Sequence, residues 1–411
     1  MTDHTLSTAR PRMGKVEFIA LMAMMGGVVA FSIDAMLPAL PQIAAELSPG
    51  ALNRAQLVVT TFVLGMGLGT FLVGPLSDAY GRKPVILAGT AIYMLASLLA
   101  LFAPSLELLI LSRILQGLGV SAARIVSMAI IRDLYAGREM ARLMSFVTMI
   151  FMIVPAIAPL IGSGIIALAG WRSVFASFVG FAALYSLWMT AKLAEPLPPG
   201  HRRPFRPHEL RRAVREVLAH RTVLLAMAVM TLCFAALFAS LSSIQQIVGN
   251  TYDRPAQFPY WFGLIALISA GASLLNAALV LRFGMRRLVT AALSVQVLCC
   301  ALALLLLHVG QPPGWHFAIY FAWQATVFAG ASLTLGNLTS LAMEPLGHVA
   351  GMAASLISGL ATVGSVLLAI PIGLAFDGTP TPLIIGVLAC AFLGAMIMLL
   401  LKRREESAEQ V

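Results

Sequence analysis

Three ionisable side chains stand where charge is expensive: Asp34, Arg113 and Arg124, each inside a long apolar stretch. Ionisable groups in such a setting are costly and usually functional. Asp34 lies in Phe31-Ser32-Ile33-Asp34-Ala35-Met36-Leu37-Pro38. Counted along a helix from Glu17, its carboxylate sits roughly 25 Å in. A helix running the opposite way from Glu107 carries Arg113 roughly 10 Å from its start, so the two groups can share one depth. A carboxylate near a guanidinium in an apolar medium can be poised to take up and release a proton. A static ion pair is the competing reading. Arg113 and Arg124 are about 20° from alignment on a helical wheel, so both face one way. Gln116, Gly117, Val120, Ser127 and Met128 share or border that stripe. Such a polar seam suits the wall of a water-filled cavity. For Arg124, packing near a headgroup at the membrane surface is an equal alternative.

A second constellation is Gly74-Pro75-Leu76-Ser77-Asp78-Ala79-Tyr80-Gly81-Arg82-Lys83. It lies between apolar stretches at about Leu52–Val73 and Pro84–Ala103, each long enough to cross a bilayer. The connection is therefore read as a tight turn. Gly81 can take a backbone conformation closed to bulkier residues. Asp78 lies close to the cations Arg82 and Lys83, and the cluster could latch two helix bundles together. A charged turn that only anchors topology is the blander alternative.

The elements that must position these groups are apolar throughout. The 411 residues are 60% hydrophobic and only 11% charged, against about 25% charged in soluble proteins. Lipid is the solvent such a chain requires. The net charge of +10 does not form a nucleic-acid face, because the cations are spread over short loops. No cleavable leader is expected: Arg10, Arg12 and Lys15 precede a span too long for a signal core. The four cysteines, Cys233, Cys299, Cys300 and Cys390, lie in apolar stretches without metal spacing and read as buried free thiols. No metal or cofactor is expected.

Twelve spans follow, at about 16–40, 52–75, 84–103, 107–131, 142–168 and 172–191, then 221–247, 258–281, 288–309, 315–342, 350–373 and 381–401. Of the 27 Lys and Arg residues, only Arg54, Arg172 and Arg254 fall in loops on the second side, and Arg113 and Arg124 fall within a span. The positive-inside rule then puts both termini in the cytoplasm. Residues 1–191 and 221–411 read as two six-helix bundles, joined by a linker at 192–220. Within that linker His208–His220 reads equally as an amphipathic helix or a solvated connection. Leu281-Arg282-Phe283-Gly284-Met285-Arg286-Arg287 repeats the turn glycine and cations after span eight, but Leu281 replaces the carboxylate. An acidic partner is therefore expected only in the first half.

The turn after span two resembles the loop signature of the major facilitator superfamily, Gly-x-Leu-x-Asp-x-x-Gly-Arg-Lys/Arg, matched at Gly74, Leu76, Asp78, Gly81, Arg82 and Lys83. Ala79 stands where many members have arginine. Leu111-Ser112-Arg113-Ile114-Leu115-Gln116-Gly117-Leu118-Gly119 is similar to the family's span-four signature, whose arginine the resemblance links to proton coupling. Asp34-Ala35-Met36-Leu37-Pro38-Ala39-Leu40-Pro41 resembles the Asp-x-x-Leu-Pro-x-x-Pro stretch of Bcr/CflA-type drug:proton antiporters, in which a span-one acid serves proton and substrate. Pro155, Pro159 and Gly162 in span five resemble the antiporter motif Gly-Pro-x-x-Gly-Gly, with Ala158 for its first glycine and Ser163 for its last.

The resemblance implies an all-α membrane protein of twelve transmembrane helices in two pseudo-symmetric bundles. Its expected activity is proton-coupled export of small amphipathic compounds across a bacterial inner membrane, as a monomer surrounded by lipid. A proton symporter importing a metabolite is the alternative. The chain has no Gly-x-x-x-x-Gly-Lys-Ser/Thr loop for an ATP pump, and no clustered carboxylates or His-rich set for a membrane enzyme. Expected roles are proton coupling for Asp34 and Arg113, and substrate contact for Asp34, Phe31, Gln116, Arg124 and Gln245. Conformational gating falls to Gly74, Asp78, Gly81, Arg82 and Lys83. Gly27 and Ala30 share the Asp34 face, and Met22, Met24, Met25, Met144, Met149 and Met152 offer an adaptable apolar wall. Gln246, Asn276, Gln324 and Asn337 are further polar candidates. One carboxylate against two guanidiniums favours neutral or weakly anionic substrates.

Overall fold

The computed structural model describes residues 13–202, 207–309 and 312–408. All regular structure among them is helical. Twelve helical segments are long and apolar enough to span a bilayer: Lys15–Leu47, Leu52–Tyr80, Arg82–Leu101, Leu106–Leu134, Gly137–Ala169, Ser173–Lys192, Arg221–Thr251, Pro255–Phe283, Met285–His308, Gly314–Leu346, Met352–Leu374 and Thr381–Leu401. In lipid every backbone N–H and C=O must be paired internally, and a helix achieves this within one segment.

Three differences from the sequence reading have local causes. Span one continues beyond residue 40, but as a broken helix. Its first part ends at Asp34, a short 3-10 turn covers Leu37–Ala39, and Leu40–Leu47 completes it. Pro38 and Pro41 fall near the starts of the two short pieces, where a missing N–H does least harm. Span two runs on to Tyr80, so Gly74–Tyr80 is its last two turns and no loop. Gly81 alone separates it from span three, with φ of 103°, a value that L side chains rarely adopt. Gly284 repeats the device with φ of 77° between spans eight and nine. The open question at 208–220 resolves to a helix, Pro207–Ala219, that rests on spans seven and eleven and buries Val217.

Among the first six spans, four packs against two and three, five against one, and six against three. Among the last six, seven packs against ten, eleven and twelve, and ten against eight and nine. Between the two sets the large interfaces are two with eleven and five with eight. Exchanging each span for its counterpart six places on carries one interface into the other, as two pseudo-symmetric halves require. One apolar core joins both halves toward the end of the molecule remote from Asp78. Toward the Asp78 end, the second half has a separate core around Val223, Leu341 and Leu356.

Candidate functional site

The Asp78 end is organised by Arg82. Its guanidinium donates through Nε to Asp133 Oδ2 at 2.7 Å, and through Nη1 to Asp78 Oδ1 at 2.6 Å and Ser77 Oγ at 2.7 Å. One planar fork thus ties the end of span two to the end of span four, a task suited to arginine. Glu195, just beyond span six, accepts from the backbone N–H groups of Arg82 at 2.8 Å and Lys83 at 2.9 Å. A carboxylate there satisfies two of the orphan donors at the start of span three and complements its dipole. Lys83 Nζ donates to the carbonyls of Thr190 and Leu193, at the close of span six. These partners all belong to the first half. In this arrangement the contacts among the described residues make no latch between bundles: the cluster braces spans two, three, four and six of one half. Gly74 faces the other half, with Ser355 Oγ 3.3 Å from where its Cβ would stand.

The second half corrects another expectation. Leu281 does replace the carboxylate, yet Arg286 Nη2 lies 3.9 Å from Glu344 Oε2 at the end of span ten. Glu344 stands there as Asp133 does at the end of span four. The acid is supplied by a different span, which no reading of the repeat alone could find.

Arg113 is fully buried, and backbone carbonyls hold it. Nε donates to Val58 O at 2.9 Å, Nη2 to Ser32 O at 3.0 Å and Nη1 to Gln116 Oε1 at 2.8 Å. The Phe62 ring covers the guanidinium at 4.3 Å, a favourable placement for a desolvated cation. Gln116 passes the network to Ser97 Oγ at 2.7 Å, and Ser32 Oγ meets the Tyr93 hydroxyl at 2.6 Å. Tyr93 and Ser97, four apart on span three, were missed by sequence reasoning. Their spacing on an otherwise apolar helix was the signal.

Asp34 is the one buried carboxylate among the described residues, 5% exposed. It and Arg113 do share a depth, since Arg113 reaches the carbonyl of Ser32, two residues before Asp34. They form no ion pair, and Asp34 has no hydrogen-bond partner among the described residues. It terminates the first helix of span one, where the chain breaks. Span five presses on this break. A Cβ on Gly162 would lie 2.2 Å from Ala35 O, so the helices can meet here only because position 162 carries no side chain. The span-five helix is continuous through Pro155 and Pro159.

A cavity of about 550 Å³ runs from mid-span residues Gly26, Thr70 and Arg124 to Arg132, Met343 and Ser355 at the Asp78 end. Arg124 and Ser127 lie on its wall as the polar seam predicts. Of the six methionines expected there, Met144 lines it, joined by Met128. Met22 and Met25 are buried in the core instead. Phe31 packs edge-on against Phe178 at 5.5 Å, Gln116 belongs to the Arg113 network, and Asp34 lies beyond the cavity wall. Gln245 and Gln324 are buried, with Gln245 Oε1 and both Gln324 amide atoms unpartnered among the described residues. Asn337 Nδ2 donates to Asn276 Oδ1 at 2.8 Å.

The opposite end is shut by a polar clasp between the halves. Gln56 Nε2 donates to Gln246 Oε1 at 2.5 Å, Gln246 Nε2 to Asn53 Oδ1 at 2.6 Å and Ser243 Oγ to Gln56 Oε1 at 3.1 Å. Asn53 Nδ2 also reaches the carbonyls of Leu374 and Phe376, at 3.2 and 2.7 Å. Spans two, seven and eleven thus share one amide network.

This architecture has solved counterparts. The xylose transporter XylE from Escherichia coli, in a partially occluded inward open conformation, superposes with a TM-score of 0.73 at 12% identity, over 93% of this chain and 97% of XylE. Among curated proteins, a bicyclomycin resistance protein homolog of Haemophilus influenzae is 28% identical, over 94% of this chain and 96% of that protein. Multidrug resistance protein D of Escherichia coli is 27% identical, over 87% and 89%. A chloramphenicol resistance protein of Pseudomonas aeruginosa is 36% identical over 39% of this chain and 40% of its own length. The Major Facilitator Superfamily family model matches residues 22–369, and the chain belongs to that superfamily.

Proposed function

We propose that the protein is a proton-coupled exporter of small amphipathic compounds, working by alternating access in a bacterial inner membrane with both termini in the cytoplasm. The observation that carries this reading is the asymmetry of the two ends: an amide clasp joins the halves at one, and a cavity wide enough for a drug-sized molecule reaches the other. The Asp78 end, rich in Lys and Arg, is then cytoplasmic, and substrate enters the cavity from that side. Residues 1–191 and 221–411 act as the two rocking bundles, with 192–220 as the tether. Similarity to proteins named for bicyclomycin, chloramphenicol and multidrug resistance supports export of such compounds.

Asp34 is the proton carrier in this scheme. Unpaired at a helix break, it is free to bind a proton when the outer clasp opens and to lose it toward the cytoplasm. Arg113 positions span one by holding the Ser32 carbonyl and supplies a fixed positive charge near the carboxylate. Arg124 meets the substrate, with Phe31, Gln116 and Gln245 reached only after the halves rock. Gly74, Asp78, Gly81, Arg82 and Lys83 set the rate of rocking, and Pro155, Pro159 and Gly162 form the surface against which span one breaks. The test uses purified protein in proteoliposomes carrying a pH gradient. Uphill movement of a neutral phenicol, coupled to proton flow and lost without the gradient, supports the scheme. Gradient-independent leakage or substrate uptake in the direction of proton flow refutes it.

A further inference from the structure

We propose that Arg124 is an anion receptor, so that the preferred substrates carry a carboxylate or comparable anionic group on an apolar body. This deepens the export reading and rests on it. The guanidinium lies ten residues before the end of the span-four helix at Leu134, roughly 15 Å along the axis. It is nevertheless solvent-accessible, because the cavity reaches it. Its one partner among the described residues is soft: Nη1 stands 3.6 Å from Met66 Sδ. A thioether is a weak acceptor, and a guanidinium has five donors. The remaining N–H groups have no acceptor among the described residues.

Arg113 offers the comparison on the same helix. There the fold spends two carbonyls, an amide oxygen and an aromatic ring on a guanidinium. At Arg124 it supplies almost nothing and opens a cavity beside it. Among the described residues that line this cavity there is no Asp or Glu, whereas Arg132 adds a second cation toward the mouth. Asp34, the one buried acid, lies beyond its wall. The charge balance facing a ligand is thus two guanidiniums to no carboxylate, more one-sided than the sequence inventory. Arg stays charged in essentially all conditions, and its planar fork matches a carboxylate bidentately. Met128 and Met144 provide a conformable apolar surface for the rest of the molecule.

The experiment is calorimetric titration of the purified protein in a neutral detergent with three probes of one skeleton: para-butylbenzoate, para-butylbenzamide and para-butylphenyl-trimethylammonium. The benzoate is expected to bind at least about tenfold more tightly than the ammonium. With an unchanged thermal midpoint reporting an intact fold, Arg124→Gln should remove that preference. Arg124→Lys should restore part of it. Equal or tighter binding of the ammonium, no detectable benzoate binding, or an unchanged ratio in Arg124→Gln would overturn the proposal. Displacement of benzoate by one equivalent of short-chain phosphatidylglycerol would give the site to a lipid headgroup and overturn it too. Loss of proton-coupled export with the binding order intact would count against the export reading alone. A reversed order with intact export would count against this inference alone.

Discussion

Asp34 and Gly162 meet at one point, and the two make opposite kinds of prediction. Asp34 carries chemistry: Asp34→Asn keeps shape and volume but cannot release a proton. The variant should express and bind a neutral substrate as before, while pH-driven accumulation falls to the leak rate. Uphill transport by Asp34→Asn in proteoliposomes would end its assignment as proton carrier. Gly162 carries only geometry. Gly162→Ala inserts a methyl 2.2 Å from the Ala35 carbonyl, and backbone must move. Overpacking of this kind costs about 1–3 kcal/mol. Gly164→Ala, where nothing lies within 4 Å of the added carbon, is the control. A thermal midpoint lowered clearly in the first variant and not in the second is the expected result; equal midpoints would show that span five yields. At this scale the sequence displayed Asp34 and Arg113 as exceptions in apolar runs, and their depths agree. It could not display their partners. Arg113 is satisfied by the carbonyls of Ser32 and Val58, and every residue has a carbonyl. Only the packing of spans one, two and four selects which ones serve.

Spans were the most legible level, because twelve apolar stretches punctuated by charge leave little freedom in a bilayer. Their ends were less so. Span two keeps its helix through Pro75 and Asp78 until Gly81 breaks it, since a membrane helix gains from pairing every backbone group it can. The partners Asp133 and Glu195 were hidden for a related reason: they lie on other elements, 51 and 113 residues from Arg82. With Arg82 shared among three acceptors, the Asp78 contact is one strand of several. Asp78→Asn should therefore leave the fold and substrate affinity near normal and slow turnover. Arg82→Lys should be worse, because one ammonium cannot reach Asp78, Ser77 and Asp133 in the fork geometry. Rates of exchange and equilibrium binding, measured on the same preparations, decide this. A large loss of affinity in Asp78→Asn would place the residue in the substrate site instead of the switching machinery.

For the whole molecule, function depends on how evenly two arrangements of the halves are balanced. Spans five and eight, and two and eleven, form apolar contacts along which the halves can tilt. What distinguishes the ends is polar: the Arg82 cluster stays within one half, whereas the Gln56–Gln246 clasp joins both. Half of the clasp was legible, since Gln246 stands out as a polar residue in an apolar span, but its partner Gln56 lies 190 residues away and an uncharged amide gives no sign of which other amide it will meet. Gln245, preferred to Gln246 as the substrate contact, is buried with its Oε1 unpartnered among the described residues. A net hydrogen bond is worth about 1 kcal/mol, and Gln246→Ala removes its bonds to both Gln56 and Asn53. The closed outer end should lose about 1–2 kcal/mol, a shift of roughly five- to thirtyfold toward outer opening. Gln56→Ala removes an overlapping set of bonds, so the double variant should shift little further than either single one. The reporter is a cysteine at Ser358, a half-buried residue on the cavity wall, with the four native cysteines replaced. Labelling by a membrane-impermeant maleimide from the cytoplasmic side should slow in Gln246→Ala, and labelling from the outer side should rise. Unchanged labelling from both sides would mean that the apolar contacts alone hold the outer end shut.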